Sequence, residues 1–329
     1  MHKACTYFIS FLLAMASCLQ ANAHKVKVGG AEIDVLYYEP DPDPETYGDF
    51  KTLVVPIKRA GNLLIVEAKI DSLTGNFVLD TGAPHLVLNA TYFRDMPRIS
   101  DHQSGGINGE VANTFKTEVT GFSILDLSYR RLRADVTDLS AIENGRNIKI
   151  FGLLGTRMFS KFAITVDIFQ NVLYIHKLDE TGAIPAAEQV YHDPYLKTSF
   201  KLMNDVIFLK GNINSTHDMW FAFDTGAEIN LMDYRKSKKL AEKMEILSTS
   251  KLTGVGNNPS LQIIYARFDN LLVGDRVFMK NRVMLTNLDN MGKAYGHSVD
   301  GILGYDFFMR GIFTVNFVKK EFEMYTYKL

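Results

Sequence analysis

Cysteine is nearly missing from this chain of 329 residues: there are two, Cys5 and Cys18, both near the amino terminus. No disulfide framework, zinc knuckle or thiol nucleophile can be built from the rest. An excess of one charge is lacking as well. Lys and Arg number 36 against 37 Asp and Glu, so neither a basic nucleic-acid face nor a solvating acidic tail is indicated. No apolar run reaches the roughly 20 residues that a membrane-spanning helix needs. The eight histidines form no H-E-x-x-H spacing, and G-x-S-x-G, Walker and dinucleotide patterns are missing too. Metal, serine and nucleotide chemistry therefore have no support, and no metal or organic cofactor is expected.

What the chain does contain favours strands. Hydrophobic residues make up 47% and aromatics 12%, with 22 Phe and 15 Tyr, many in β-branched surroundings that suit a pleated sheet. The amino terminus reads differently. A short basic start at His2 and Lys3, the apolar run Tyr7 to Leu19 and the small-x-small site Ala21-Asn22-Ala23 predict a signal peptide over 1–23, with a mature chain beginning near His24. The expected location is periplasmic or secreted. The alternative is an outer-membrane or cell-surface lipoprotein anchored at Cys18, because Ala16-Ser17-Cys18 is similar to the end of a lipobox, although Met15 stands where a branched aliphatic residue is usual.

Self-comparison is the most informative test. Phe77-Val78-Leu79-Asp80-Thr81-Gly82-Ala83 returns as Phe221-Ala222-Phe223-Asp224-Thr225-Gly226-Ala227, identical at five of seven positions and offset by 144 (80 to 224). Gly152-Leu153-Leu154-Gly155 returns as Gly301-Ile302-Leu303-Gly304, offset by 149 (152 to 301), and the register holds through Phe159 with Phe308 and Thr165 with Thr314. One Asp-Thr-Gly triplet should arise by chance in about one chain in twenty of this length. Two, each followed by the same apolar-apolar-Gly motif, mark two copies of one unit. The expected units are 24–185 and 186–329, joined within Leu178 to Val190, where Gly182 and Pro185 break the pattern.

Alternation and Gly or Asn punctuation predict strands over Leu63 to Ile70, Asn76 to Leu79, Leu86 to Leu88, Phe162 to Val166 and Val172 to His176. The second copy predicts them over Val206 to Ile213, Trp220 to Phe223, Leu271 to Val273, Phe313 to Phe317 and Glu321 to Tyr325. Tyr234 to Leu247, rich in Lys, Glu, Leu and Met, is the best helix candidate. Glu39 to Tyr47 reads as a surface excursion, with a short prosegment as its alternative.

On these residues the chain resembles the pepsin and retropepsin-like aspartic peptidases. Its Asp-Thr-Gly-Ala loops are closer to the retroviral and bacterial branch than to the Ser-containing digestive one. The resemblance implies an all-β, bilobal fold of two homologous β-barrel-like lobes with a cleft between them. It implies catalytic roles for Asp80 and Asp224, because amide hydrolysis needs both a base and an acid, and two close carboxylates sharing one proton supply both. Gly82 and Gly226 would allow close approach of the loops, and Thr81 and Thr225 would bond across to the opposite loop. Leu153-Leu154-Gly155 and Ile302-Leu303-Gly304 would pack behind and pin them.

Flap hairpins over the substrate are expected at Gly105-Gly106-Ile107 or at Gly254-Val255-Gly256; ordinary Gly-rich turns are the alternative for either. The partner would be an extended peptide or protein substrate, with no nucleic acid, and the chain a monomer with an intramolecular dyad. A catalytically silent peptide-binding or inhibitor protein on the same scaffold is the alternative function. His85 reads as a solvated loop histidine, with substrate contact as its alternative. Asn89-Ala90-Thr91 and Asn214-Ser215-Thr216 match glycosylation acceptors. Finally, Ala83 and Ala227 stand where pepsin-like enzymes usually carry Ser or Thr, whose hydroxyl favours a charged carboxylate; without it the pair's apparent pKa values should rise by about a unit, towards a mildly acidic to near-neutral optimum.

Overall fold

The computed structural model describes residues 21–28, 31–38, 43–106, 109–215, 217–236, 244–252 and 261–327. The fold is all-β, and each copy of the repeat builds the same set of strands. In the first, strand Leu73–Leu79 runs parallel to Gly152–Leu154, pairing Phe77 with Gly152, and Gly152–Leu154 runs antiparallel to Leu86–Asn89. In the second, His217–Phe223 runs parallel to Gly301–Leu303, pairing Phe221 with Gly301, and Gly301–Leu303 runs antiparallel to Leu231–Asp233. Leu132–Thr137 flanks the first set and Arg276–Thr286 the second, each in parallel. The short apolar-apolar-Gly segment is thus the middle strand of each set, buried on both faces.

The two copies are joined by shared antiparallel strands. In spatial order these are Leu196–Ser199, Glu321–Tyr325, Ile312–Asn316, Phe162–Asp167, Val172–Lys177 and Thr52–Ala60. At the centre Thr165 lies opposite Thr314, and their hydroxyls are 2.7 Å apart. These two threonines are also equivalents in the repeat, so an approximate two-fold axis passes between them. One apolar core runs beneath this sheet, in which Phe159, Phe317 and Phe200 link the halves.

Strands Leu63–Ile70, Val206–Ile213 and Glu321–Tyr325 fall where alternation places them. The helix expected over Tyr234 to Leu247 is corrected at its end. Glu245–Leu252 is a strand paired with Leu261–Val273, because cross-strand pairing outweighs the helical leaning of Lys, Glu and Met; residues 237–243 lie outside the described ones. Between Lys177 and Leu196 there is no strand, only a 3₁₀ turn at Ala186–Glu188. Ala21 to Ala23, the last part of the expected signal peptide, open strand Ala21–Val28, which pairs with Ala31–Tyr38; residues 1–20, including Cys5 and Cys18, lie outside the described ones. No described helix is long and apolar enough to cross a membrane.

Candidate active site

Each Asp leaves the end of a buried strand and enters a tight turn. The Asp80 amide donates to Leu154 O and the Asp224 amide to Leu303 O, both at 3.0 Å, so the apolar-apolar-Gly strands do pin the two loops. The turns fold back on their own carboxylates: Gly82 N donates to Asp80 Oδ1 at 2.9 Å, and Gly226 N to Asp224 Oδ1 at 2.7 Å. Ala227 N adds a third bond to Asp224 at 3.1 Å.

The threonines tie the loops to each other. Thr81 N donates to Thr225 Oγ1 and Thr225 N to Thr81 Oγ1, both at 3.0 Å. Each hydroxyl then donates to the strand carrying the other Asp, Thr81 Oγ1 to Phe223 O at 2.8 Å and Thr225 Oγ1 to Leu79 O at 2.7 Å. All four groups are buried, so each bond is made in a low-dielectric setting where an unpaired partner would be costly.

The glycines are required for this approach. A Cβ on Gly82 would lie 2.2 Å from Asp224 Oδ2, and one on Gly226 2.6 Å from the Asp80 Oδ1. The carboxyl groups lie within hydrogen-bonding influence of each other. Burial, and then the neighbouring Asp224 charge, hold Asp80 well above the usual carboxylate range. Burial raises Asp224 too, but Asp80 and the amides of Gly226, Ala227 and Gly82 oppose it by bonding to its charged form. Burial thus raises both members, and the two titrate as a pair rather than as separate residues.

Sequence reasoning missed the contacts between halves around this centre. Arg146 Nη2 bonds Glu228, two residues past Gly226, and Asn62 Nδ2 donates to Glu228 O at 3.3 Å. On the other side Thr156 Oγ1 bonds Asp205 O, and Arg157 Nη1 reaches Asp205 Oδ2 at 3.3 Å. It also missed Tyr295, a buried residue at the end of helix Asp289–Tyr295 that packs with Ala227 and whose hydroxyl feels the charges of Asp224 and Asp80. The offset of 149 aligns Tyr295 with Arg146, an unlike residue, so the repeat carries no signal for it.

Two expectations are corrected. His85 is not solvated: it is buried, with Nε2 2.7 Å from Asp135 Oδ2, because its loop is covered by strand Leu132–Thr137. Asn89 is unsuited to glycosylation, being fully buried, with its amide donating to Ile150 O at 2.9 Å and its oxygen accepting from Thr91 and Leu139. Of the flap candidates, Gly105 and Gly106 end strand Ser100–Gly106, which pairs with Gly109–Val119 and packs on helix Asp289–Tyr295 of the other half. Ile107, Gly254, Val255 and Gly256 lie outside the described residues.

The sequence profile described as "Aspartyl protease" matches residues 66–158 and 209–307, one span per copy and each including one of the Asp-Thr-Gly loops. The chain belongs to the aspartyl protease family. Two solved structures resemble this aspartyl protease chain over most of their length. Basic 7S globulin from soybean is 9% identical, with a TM-score of 0.46 over 85% of this chain and 96% of that one. The aspartic proteinase from Irpex lacteus is 12% identical, with a TM-score of 0.47 over 84% and 97%. Among curated proteins none matches this member of the family in sequence.

Proposed function

We propose that this chain is an aspartic endopeptidase in which Asp80 and Asp224 act on one water. The observation that carries the reading is the reciprocal threonine bonding, which ties together two loops whose buried carboxyl groups are both raised by burial; a pair of this kind could share one proton. A water between them would lose a proton to the Asp224 carboxylate as its oxygen attacks the peptide carbonyl. Asp80 would give its proton to the carbonyl oxygen; as the C–N bond breaks, the proton on Asp224 would pass to the departing amine and one hydroxyl of the tetrahedral carbon would return its proton to Asp80. The substrate would lie extended beneath the Ser100–Gly106 hairpin, which supports the flap assignment by its packing on the other half.

The reading includes two units, 24–185 and 186–329, acting as a monomer, and an exported mature chain beginning near His24, with acylation at Cys18 as the alternative. Intact mass distinguishes those two termini. The function is tested by Asp80→Asn and Asp224→Asn in a mixed-peptide cleavage assay. Each should lower turnover by at least about a hundredfold with the melting transition retained; an uncleaved library with the native chain would favour a silent peptide-binding protein. Because burial and the alanines both raise the pair, kcat/KM should peak between mildly acidic and near-neutral pH. A maximum below about pH 3.5 would contradict this.

A further inference from the structure

Outside the two loops, a buried phenol packs beside the second Asp loop. Tyr295 ends helix Asp289–Tyr295, and the chain then passes through Gly296 in a left-handed conformation, φ 65°. Asn204 Nδ2 donates to the Tyr295 carbonyl at 2.9 Å, fixing this corner to the turn before strand Val206–Ile213. The ring stands edge-on to Phe208, with centroids 6.1 Å apart, in an apolar cluster with Ala227, Met291 and Ile302. Only 1% of the residue is exposed. Its hydroxyl is buried and, among the described residues, has no partner in hydrogen-bond geometry.

A buried hydroxyl left unpaired has given up its water without a replacement bond. This one makes no formed bond, sits in the cluster that holds Ala227 of the second Asp loop, and feels the charges of both Asp224 and Asp80. The residue that could have supplied a hydroxyl from the loop itself is Ala227, and it shares the cluster with Tyr295. Among the described residues no second buried, unpaired phenol lies beside Asp80. The matching residue of the first copy, Arg146, bonds Ile142 O and Glu228 instead.

We propose that Tyr295 is a positioning residue whose phenol donates to Asp224 in the working site, making Asp224 the charged member of the pair and leaving the proton on Asp80. The proposal rests on the peptidase reading of the same site. Donation to a carboxylate favours its charged form, and it replaces on one side only the hydroxyl that alanine withholds. Burial, then the two carboxylates, keep the phenol protonated far above its usual range, so it remains a donor wherever the pair is singly protonated. Asp224 and Asp80 are the charged groups facing it. Asp289, Lys293 and His297 of its own segment line an outer cavity of about 440 Å³.

The test is Tyr295→Phe, which keeps the ring and removes the donor. Carboxyl carbons of Asp80 and Asp224 are followed by ¹³C NMR against pH in the full chain and assigned with the Asn variants. The lower titration step of the pair should rise by about one unit, the acid limb of kcat/KM should move with it, and kcat should fall about tenfold with KM changed less than about twofold. A lower step that stays in place overturns the proposal. Incorporation of 3-fluorotyrosine at position 295, a stronger donor of nearly the same shape, should move the step the other way, and no movement there also overturns it. The carboxyl titration needs no substrate. A chain that cleaves no peptide but shows both shifts would remove the peptidase reading and keep the donor.

Discussion

His85 and Ile229 follow the two Asp-Thr-Gly-Ala loops at the same distance, and Asp135 and Met284 occupy matching places on the strands beside them. His85 and Asp135 are a buried polar couple 2.7 Å apart; Met284 belongs to an apolar cluster and Ile229 packs against it. One step further out, Arg146 turns to Glu228 while Tyr295 turns to the carboxyl pair. Yet Thr81 and Thr225, and Thr165 and Thr314, are the same in both copies and bond to each other. A residue on the axis meets its own equivalent, so its chemistry must be self-complementary. A residue off the axis meets a partner other than its own equivalent, and the halves are free to differ there.

That contrast can be broken at three levels. The largest effect is expected on the axis: Gly82→Ala or Gly226→Ala drives a methyl group into the opposite Asp, and both should lower turnover on the order of a hundredfold and cost about 1–3 kcal/mol in urea unfolding. A large effect from one glycine and none from the other would show that the loops are not equivalent. Off the axis the halves should respond unequally to one change. His85→Leu removes the imidazole from a buried carboxylate and should cost about 3 kcal/mol, whereas Ile229→Leu, a volume-conserving swap, should cost less than about 1.5 kcal/mol. Equal costs would mean that the polar couple adds nothing to its half.

The third level is a pH dependence at the shared sheet, which vanishes at neutral pH. His176 is buried between Thr52 and Thr165, its nitrogens 3.0 and 3.1 Å from their hydroxyls, and burial lowers its pKa to about 4. The folded state thus prefers neutral imidazole, while the unfolded chain takes up a proton near pH 6.5. The stability this preference contributes is present above pH 6.5 and is lost as pH falls to about 4, at most about 3 kcal/mol. His176→Gln should flatten the fall in unfolding free energy between pH 7 and 4; an unchanged slope would place the titrating group elsewhere.

Much of the frame was legible because its signals are local. Repeated Asp-Thr-Gly-Ala, apolar-apolar-Gly and alternation in Val206–Ile213 each mark a backbone requirement within a few residues. The missed features depend on partners far away in sequence. Nothing near His85 announces Asp135, and nothing near Tyr295 announces Asp224. At Glu245–Leu252 the helical composition was a real local preference, overruled by a partner strand.

The shared sheet also has a consequence for the order in which the chain leaves the ribosome. Strand Phe162–Asp167 is buried along its whole length, but one of its two neighbours, Ile312–Asn316, is made almost an entire copy later. At about 5–20 residues per second, its edge waits on the order of 10 to 30 s for that partner. An apolar strand with an open edge is a template for pairing with other chains. The nascent first copy is therefore a natural client for a chaperone, and its exposure ends only when the last two strands of the second copy, Ile312–Asn316 and Glu321–Tyr325, have been made.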